Sequence, residues 1–338
     1  MPDLTSAALK KFAGTVGVDV LGVAPIERFE GAPPGRHPAD LYPDAKSVIT
    51  IGFRITRGSL RGIEEGTDWA AYDFMSYGGI VMMYSVIAQR ELSRFIEDHG
   101  YEAVPFIHTC SKQAGEPVAP GKPRPDVLLN ERILAVAAGM GEIGYSRMFL
   151  STRFGPAIRV FPILTNAVLQ PDPMVRTGIC DGCRRCVKEC PPEAISASQT
   201  ESVTIAGQTY EMGNIDIDKC SWCHHGGMRA VSPFISRDVS IKGEGGVLYS
   251  KELMDIPYCG SQNRLLHHVA ICGAAGCVRA CMIHLEEKGR ISQVFKAPFR
   301  VRTPWWPLSP AEEPSRPAKR SSSSRKPRQR TEKQRQLR

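Results

Sequence analysis

No stretch of about 18 consecutive apolar residues occurs in the 338-residue chain, so the sequence encodes no ordinary membrane-crossing helix. The opening residues, MPDLTSAALKKFAGTVGVDV, lack a basic segment followed by an apolar one and hold no twin-arginine pair. Export is therefore not expected, and the chain reads as cytoplasmic. No repeat of solenoid length is visible. Cysteine is nearly missing from the front half: residues 1–172 hold Cys110 alone, while the other ten of the eleven lie downstream. In a reducing compartment, cysteines crowded in this way signal metal or redox chemistry before disulfides.

The body also lacks net charge. Residues 316–338 hold ten Lys or Arg against one acid, Glu332, so that segment carries +9 and the rest of a +8 chain nets −1. The basicity is thus a tail. Residues 301–338 hold too little apolar content to offset ordering entropy and are expected to be disordered. Such a tail reads either as a solvated extension or as an arm that grips nucleic-acid phosphates. With 42% hydrophobic and 23% charged residues, the remainder has ordinary globular composition.

Residues 1–172 read as alternating helices and strands. Thr5 is placed to cap a helix running to about Val16. Val20 to Ala24 and Ser47 to Phe53 are short apolar runs bounded by Gly and Pro, which predicts buried strands. Over 78–98, Val81, Tyr84, Ala88, Leu92 and Phe95 recur at helical steps, and Gly100 stops the helix. Glu102 to Ile107 reads as a strand, Asn130 to Ala138 as a helix and Arg159 to Leu164 as a strand. The pattern predicts an α/β or α+β domain with helices packed on a sheet. We divide the chain into residues 1–172, a cysteine-rich region 173–300, and the tail 301–338.

Cys180, Cys183, Cys186 and Cys190 form C-x2-C-x2-C-x3-C followed by Pro191, the bacterial ferredoxin spacing for a [4Fe–4S] cluster. Three thiolates on a tight loop reach three corners of one cube, and the fourth, one helical turn on, serves a second. Asp181, Gly182 and Gly178 supply turn-prone residues and leave N–H groups for sulfur. The x3 step from Cys277 to Cys281 predicts that Cys281 completes the first cluster. The second would take Cys190, Cys220, Cys272 and Cys277, with Cys223 as a spare ligand. The Cys272–Cys277 gap is longer than usual, and Met282 stands where Pro is customary. Cys110 and Cys259 are expected to be structural thiols. His224 and His225 after Cys223 invite a zinc reading, but a surface pair beside the cysteines is the plainer one. His267 and His268 read as packing or solvent-facing residues. His108, ending a predicted strand beside Cys110, either faces a site or is held structurally.

Several segments carry a resemblance to corrinoid-dependent iron–sulfur reductases, the reductive dehalogenases and epoxyqueuosine reductases. Tyr84 to Pro105 resembles a helix running into a "GYxAxP" strand. Asn130-Glu131-Arg132, followed by Ala138-Gly-Met-Gly-Glu-Ile-Gly144, is similar to the family's AGMGExG loop. Phe154 to Val160, Leu164 to Asn166 and Asp216 to Cys220 resemble further family segments, and together the likeness spans roughly residues 45–285.

The resemblance implies a nitroreductase-like corrinoid-binding domain, then a ferredoxin-like domain with two [4Fe–4S] clusters. It implies a bound cobalamin and a small-molecule substrate, with a reduced ferredoxin or flavodoxin as electron donor. Gly139, Gly141 and Gly144, with Arg147, would approach the macrocycle; Gly78-Gly79 is a similar turn. After the AGMGExG loop the dehalogenases carry Arg and the epoxyqueuosine reductases Lys, whereas this chain has Tyr145. The proton donor therefore stays open between Tyr84 (with Tyr77 as its neighbour alternative), Tyr145 and Asp126. Three functions follow: a cytoplasmic corrinoid reductase cleaving a small organic substrate, an epoxyqueuosine-reductase-like enzyme acting on tRNA, and an electron-transfer protein without corrinoid.

Overall fold

The computed structural model describes residues 3–107, 115–176, 178–224, 228, 231–232 and 271–299. His108, Cys110, His225, Cys259, His267, His268 and the basic tail lie outside the described residues.

Thr5 caps the first helix, Ser6–Thr15, its hydroxyl accepting the Ala8 N–H at 3.1 Å. The strands are β1 (Val20–Pro25), β2 (Ser47–Arg54), β3 (Ala103–Pro105), β4 (Gly141–Ile143), β5 (Phe149–Ser151), β6 (Ile158–Thr165), β7 (Ile195–Ile205) and β8 (Gln208–Ile215). Four of them form one sheet in the order β1-β2-β6-β3, each pairing antiparallel. The architecture is therefore α+β.

Strand periodicity explains why the sheet is covered on both sides. Ile49, Ile51 and Phe53 of β2, with Phe161 and Ile163 of β6, enter one core with Leu9, Ala88, Leu92 and Ile96 of the helices. The intervening Val48, Val160 and Leu164 enter a second core against the helix Glu131–Ala137. Each fully buried Leu or Ile contributes about 1.5–3 kcal/mol. The first core continues into Ile179, Cys223, Ala274, Val278, Met282 and Leu285, so the cysteine-rich segments share apolar packing with the sheet.

The helix predicted over 78–98 is longer and partly rewound. Two π-helical stretches, Phe74–Gly78 and Ile80–Tyr84, precede the α-helix Ser85–Glu97. Ala88 and Leu92 are buried as the period requires, and Phe95 stacks on Phe12 at 4.4 Å. Tyr84 instead faces out, 46% exposed, with Met82, Met83, Val86 and Ile87. Wider turns shift the register, so a spacing of three and four residues no longer marks one face. A β7–β8 hairpin between Cys190 and Cys220 was not foreseen in the sequence. No helix among the described residues is long and apolar enough to cross a membrane.

Candidate metal centre

The loop carrying Cys180, Cys183 and Cys186 owes its shape to two left-handed residues, Gly182 (φ 70°) and Arg184 (φ 56°), ahead of the short helix Arg185–Lys188. This exposes backbone donors to sulfur. The Tyr145 N–H points at Cys180 Sγ at 3.4 Å, and the Ala194 N–H at Cys190 Sγ at 3.3 Å. Donors of this kind steady thiolate ligands of an iron–sulfur cluster.

The thiols fall into two neighbourhoods. Burial pushes Cys186 up to about 11, with the charges of Cys180 and Cys183 adding to it. Cys281 is raised by burial, then by Cys180, Cys186 and Cys183. Those three act on Cys281 ahead of Cys277. Cys220 is pushed up to about 11 by burial, then by Cys272 and Cys190, and Cys277 is raised by burial, then by Cys272, Cys190 and Cys220. Cys272 is raised first by a hydrogen bond with Cys223 and then by burial. Cys223, fully buried, also contacts Met228 Sδ at 3.9 Å. The donor set therefore fits two four-thiol groups, with Cys223 beside the second. Bound iron would stabilise the thiolate form that burial, with the neighbouring sulfurs adding to it, disfavours. The helix Cys277–Glu287 carries one member of each group, Cys277 and Cys281, about 6 Å apart along its axis.

His284 and Arg290, which the sequence did not single out, hold the first loop through Asp181. Asp181 accepts from His284 Nε2 at 2.8 Å and lies 3.5 Å from Arg290 Nε. Burial works against ionisation of Asp181, but His284 and Arg290 outweigh it and hold its carboxyl below the usual range. Asp181, Cys183 and His284 place their ligand atoms within 4.8 Å of one another. Cys183 there belongs to the first thiol group and His284 engages Asp181, so the trio acts as a latch on the cluster loop. Glu142, whose carboxylate accepts the Cys180 N–H, is raised by burial, with that hydrogen bond opposing. The one sequence signal for Glu142 was an acid inside an otherwise small and apolar loop.

The remaining candidates are dispersed. Gly139 (φ 72°) ends the helix Glu131–Ala137, and a Cβ there would meet the Pro173 carbonyl oxygen at 2.3 Å. A Cβ on Gly141 would lie 1.9 Å from the Leu150 carbonyl oxygen, and one on Gly144 would lie 2.8 Å from the Leu150 side chain. The chain's own packing thus occupies the space these glycines leave. Arg147 (φ 61°) pins the hairpin, donating to Gly213 O at 3.0 Å and Asn214 Oδ1 at 3.1 Å and pairing with Glu201 at 2.5 Å. Tyr145 is buried, its hydroxyl donating to Ser196 O at 2.9 Å under the Arg184 guanidinium. Asp126 (φ 54°) is exposed. Among the described residues, no hydrogen bond joins Tyr84, Tyr145 and Asp126.

A cavity of about 410 Å³ opens beside Cys180, lined by Glu142, Tyr145, Arg176, Arg184 and Tyr210. It suits a small molecule rather than a whole corrinoid with its nucleotide arm. Met75, Met82, Met83 and Tyr84 of the π-helical stretches, with Val86 and Ile87 of the following α-helix, are exposed apolar residues.

No protein-family model matches the chain. Over 162 residues the chain is 30% identical to the tetrachloroethene reductive dehalogenase of Sulfurospirillum multivorans, covering 44% of this chain and 29% of that protein. Over 152 residues it is 26% identical to the epoxyqueuosine reductase of Lactococcus garvieae, covering 45% of this chain and 39% of that one. Among solved structures, the catabolic reductive dehalogenase NpRdhA aligns with a TM-score of 0.48 at 19% identity, over 85% of this chain and 38% of that chain. The chain spans well under half the length of the curated relatives it matches.

Proposed function

We propose that this relative of the reductive dehalogenases and epoxyqueuosine reductases is a reductase that passes electrons through two [4Fe–4S] clusters to a cobalamin and reductively cleaves a small organic substrate. The observation that carries the proposal is the pattern of influence among the thiols: of the other cysteines, Cys180, Cys186 and Cys183 act first on Cys281, and Cys272, Cys190 and Cys220 act first on Cys277. Cys180, Cys183, Cys186 and Cys281 would hold the first cluster, and Cys190, Cys220, Cys272 and Cys277 the second. When bound, the clusters supply one-electron transfer and the corrinoid delivers electron pairs to a bond of the substrate.

The chain's own residues do the rest. Cys183 is exposed, so the first group lies nearest the surface and offers the entry point for a reduced ferredoxin or flavodoxin. The helix Cys277–Glu287 joins the two groups within about one turn, keeping the electron step short. The apolar face from Met75 to Ile87 would exclude water from the bound macrocycle. Tyr84, on that face and without a hydrogen-bond partner among the described residues, is the best placed of the three candidates to hand a proton to the substrate. Tyr145 is committed to Ser196.

The test is anaerobic reconstitution of the full chain. About eight irons and one bound cobalamin per chain are expected, with halide release from tetrachloroethene or a brominated aromatic under a low-potential donor. M83E and I87E on the apolar face should lower cobalamin retention without lowering iron. Iron with no cobalamin binding would overturn the proposal. The competing reading, an enzyme acting on tRNA, draws on the match to the Lactococcus enzyme and on the ten-cation tail. It predicts tRNA binding that falls steeply with salt and is lost on deleting residues 315–338.

A further inference from the structure

The Tyr72 side chain is fully buried, yet its hydroxyl meets no hydrogen-bond partner among the described residues. It comes from the short helix Ala70–Asp73. Ser76 Oγ, four residues on, is likewise buried without a partner, so the two hydroxyls do not satisfy each other. The Tyr72 ring packs in the core that also takes Cys272, Ala274, Ala275 and Val278. Its hydroxyl lies against the helix Ile271–Ala275: a Cβ on Gly273 would stand 3.3 Å from the phenol oxygen and 3.1 Å from Val278 Cγ2. Glycine at 273 therefore leaves the phenol room beside the turn that carries Cys272. Burial pushes Tyr72 up to about 12, with Arg159 opposing and the charges of Cys272 and Cys277 adding to the rise, so the phenol keeps its proton.

A buried hydroxyl left unpaired costs free energy, and phenylalanine would fill the same space without that cost. The tyrosine is accounted for if a bound group supplies the missing acceptor. Thiolate sulfur and the sulfide of a cluster accept hydrogen bonds and have no proton to give. A donor aimed at them stabilises the reduced cluster, which is more negative, over the oxidised one. We infer that the Tyr72 hydroxyl donates a hydrogen bond to the second cluster on its Cys272 side, and that this bond raises the reduction potential of that cluster. The inference rests on the reductase reading and deepens it: Tyr72 makes the second cluster the better electron acceptor and so favours transfer from the first.

The test is a redox titration, followed by EPR, of the full chain reconstituted with iron, sulfide and cobalamin. Y72F removes the hydroxyl and keeps the ring, so iron and cobalamin content should be unchanged. At a fixed poise the ratio of reduced to oxidised second cluster should fall about tenfold, equivalent to about 59 mV for one electron. The first cluster, whose signal is the one lost in C281S, should not move. An independent arm replaces the nine tyrosines of the chain with 3-fluorotyrosine, whose more acidic phenol is a stronger donor. The second potential should then rise in the otherwise wild-type protein and not in Y72F. A second potential that is unmoved in either arm, as when buried water takes up the phenol, overturns the inference. So does an equal shift of both clusters in Y72F, or an equal rise with 3-fluorotyrosine in its presence and absence of Tyr72. If Y72F fails to load iron, the wild-type 3-fluorotyrosine protein decides alone. Iron content reports separately on the reductase reading before any potential is measured, so the two failures are distinguishable.

Discussion

At the scale of single residues, the cysteines make the sharpest predictions. Of the other cysteines, Cys180, Cys186 and Cys183 act first on Cys281 despite about a hundred intervening residues, so on the proposed ligand set C281S should lose about half of an expected eight irons. C220S should lose iron from the second group. C223S should keep its full iron content, because Cys223 adjoins Cys272 rather than all four sulfurs. Iron analysis with low-temperature EPR of the reduced protein checks all three. A second prediction concerns a buried ion pair. The Glu64 and Arg279 side chains are 2% and 6% exposed and meet at 3.0 Å. Removing one partner strands a charge in the interior, and R279M should cost about 3 kcal/mol, with Arg61 at 2.9 Å from Glu64 limiting the loss. The double variant E64Q/R279M should recover most of the lost melting temperature in calorimetry.

At the scale of elements, the hairpin β7–β8 depends on contacts from outside itself. Arg147 reaches three of its residues, Tyr145 donates to Ser196, and the Gly213 N–H returns to the Tyr145 carbonyl. Two strands alone are marginal in water. R147A should therefore loosen the hairpin by about 1–2 kcal/mol, allowing for partial solvent screening. Amide exchange over 195–215 should quicken while iron content stays unchanged. The capped helices Ser6–Thr15 and Glu131–Ala137 were legible in the sequence, because Thr5 and Asn130 act within three residues of their partners. The outward turn of Tyr84 was not, because a wide helical turn leaves no mark in the spacing of apolar residues.

At the scale of the whole molecule, metal and fold are expected to be coupled. One apolar core takes Ile49 and Leu92 from the sheet region and Ala274, Val278 and Leu285 from the cysteine-rich region. Metal binding to cysteines that the folded chain brings together contributes directly to folding stability. Chelating iron under anaerobic conditions should lower the melting temperature of the reconstituted chain by roughly 10 °C or more, about 2–4 °C for each kcal/mol lost. An unchanged melting temperature would show that the thiol groups do not support the fold. The effect should reach the sheet as well as the cysteine loops, because both border the shared core.

Short-range chemistry was readable before any coordinates. The x2-x2-x3 spacing brings thiols round one loop, a Thr or Asn begins a helix, and a Gly ends one, because each effect is confined to a few consecutive residues. Long-range company was not readable. That Arg279 would meet Glu64, that Asp181 would be latched by His284, and that Gly141 would press on Leu150 all depend on which segments pack together. Such partners lie up to some two hundred residues apart. Their meeting is set by the burial of whole faces, which no local pattern of residues records.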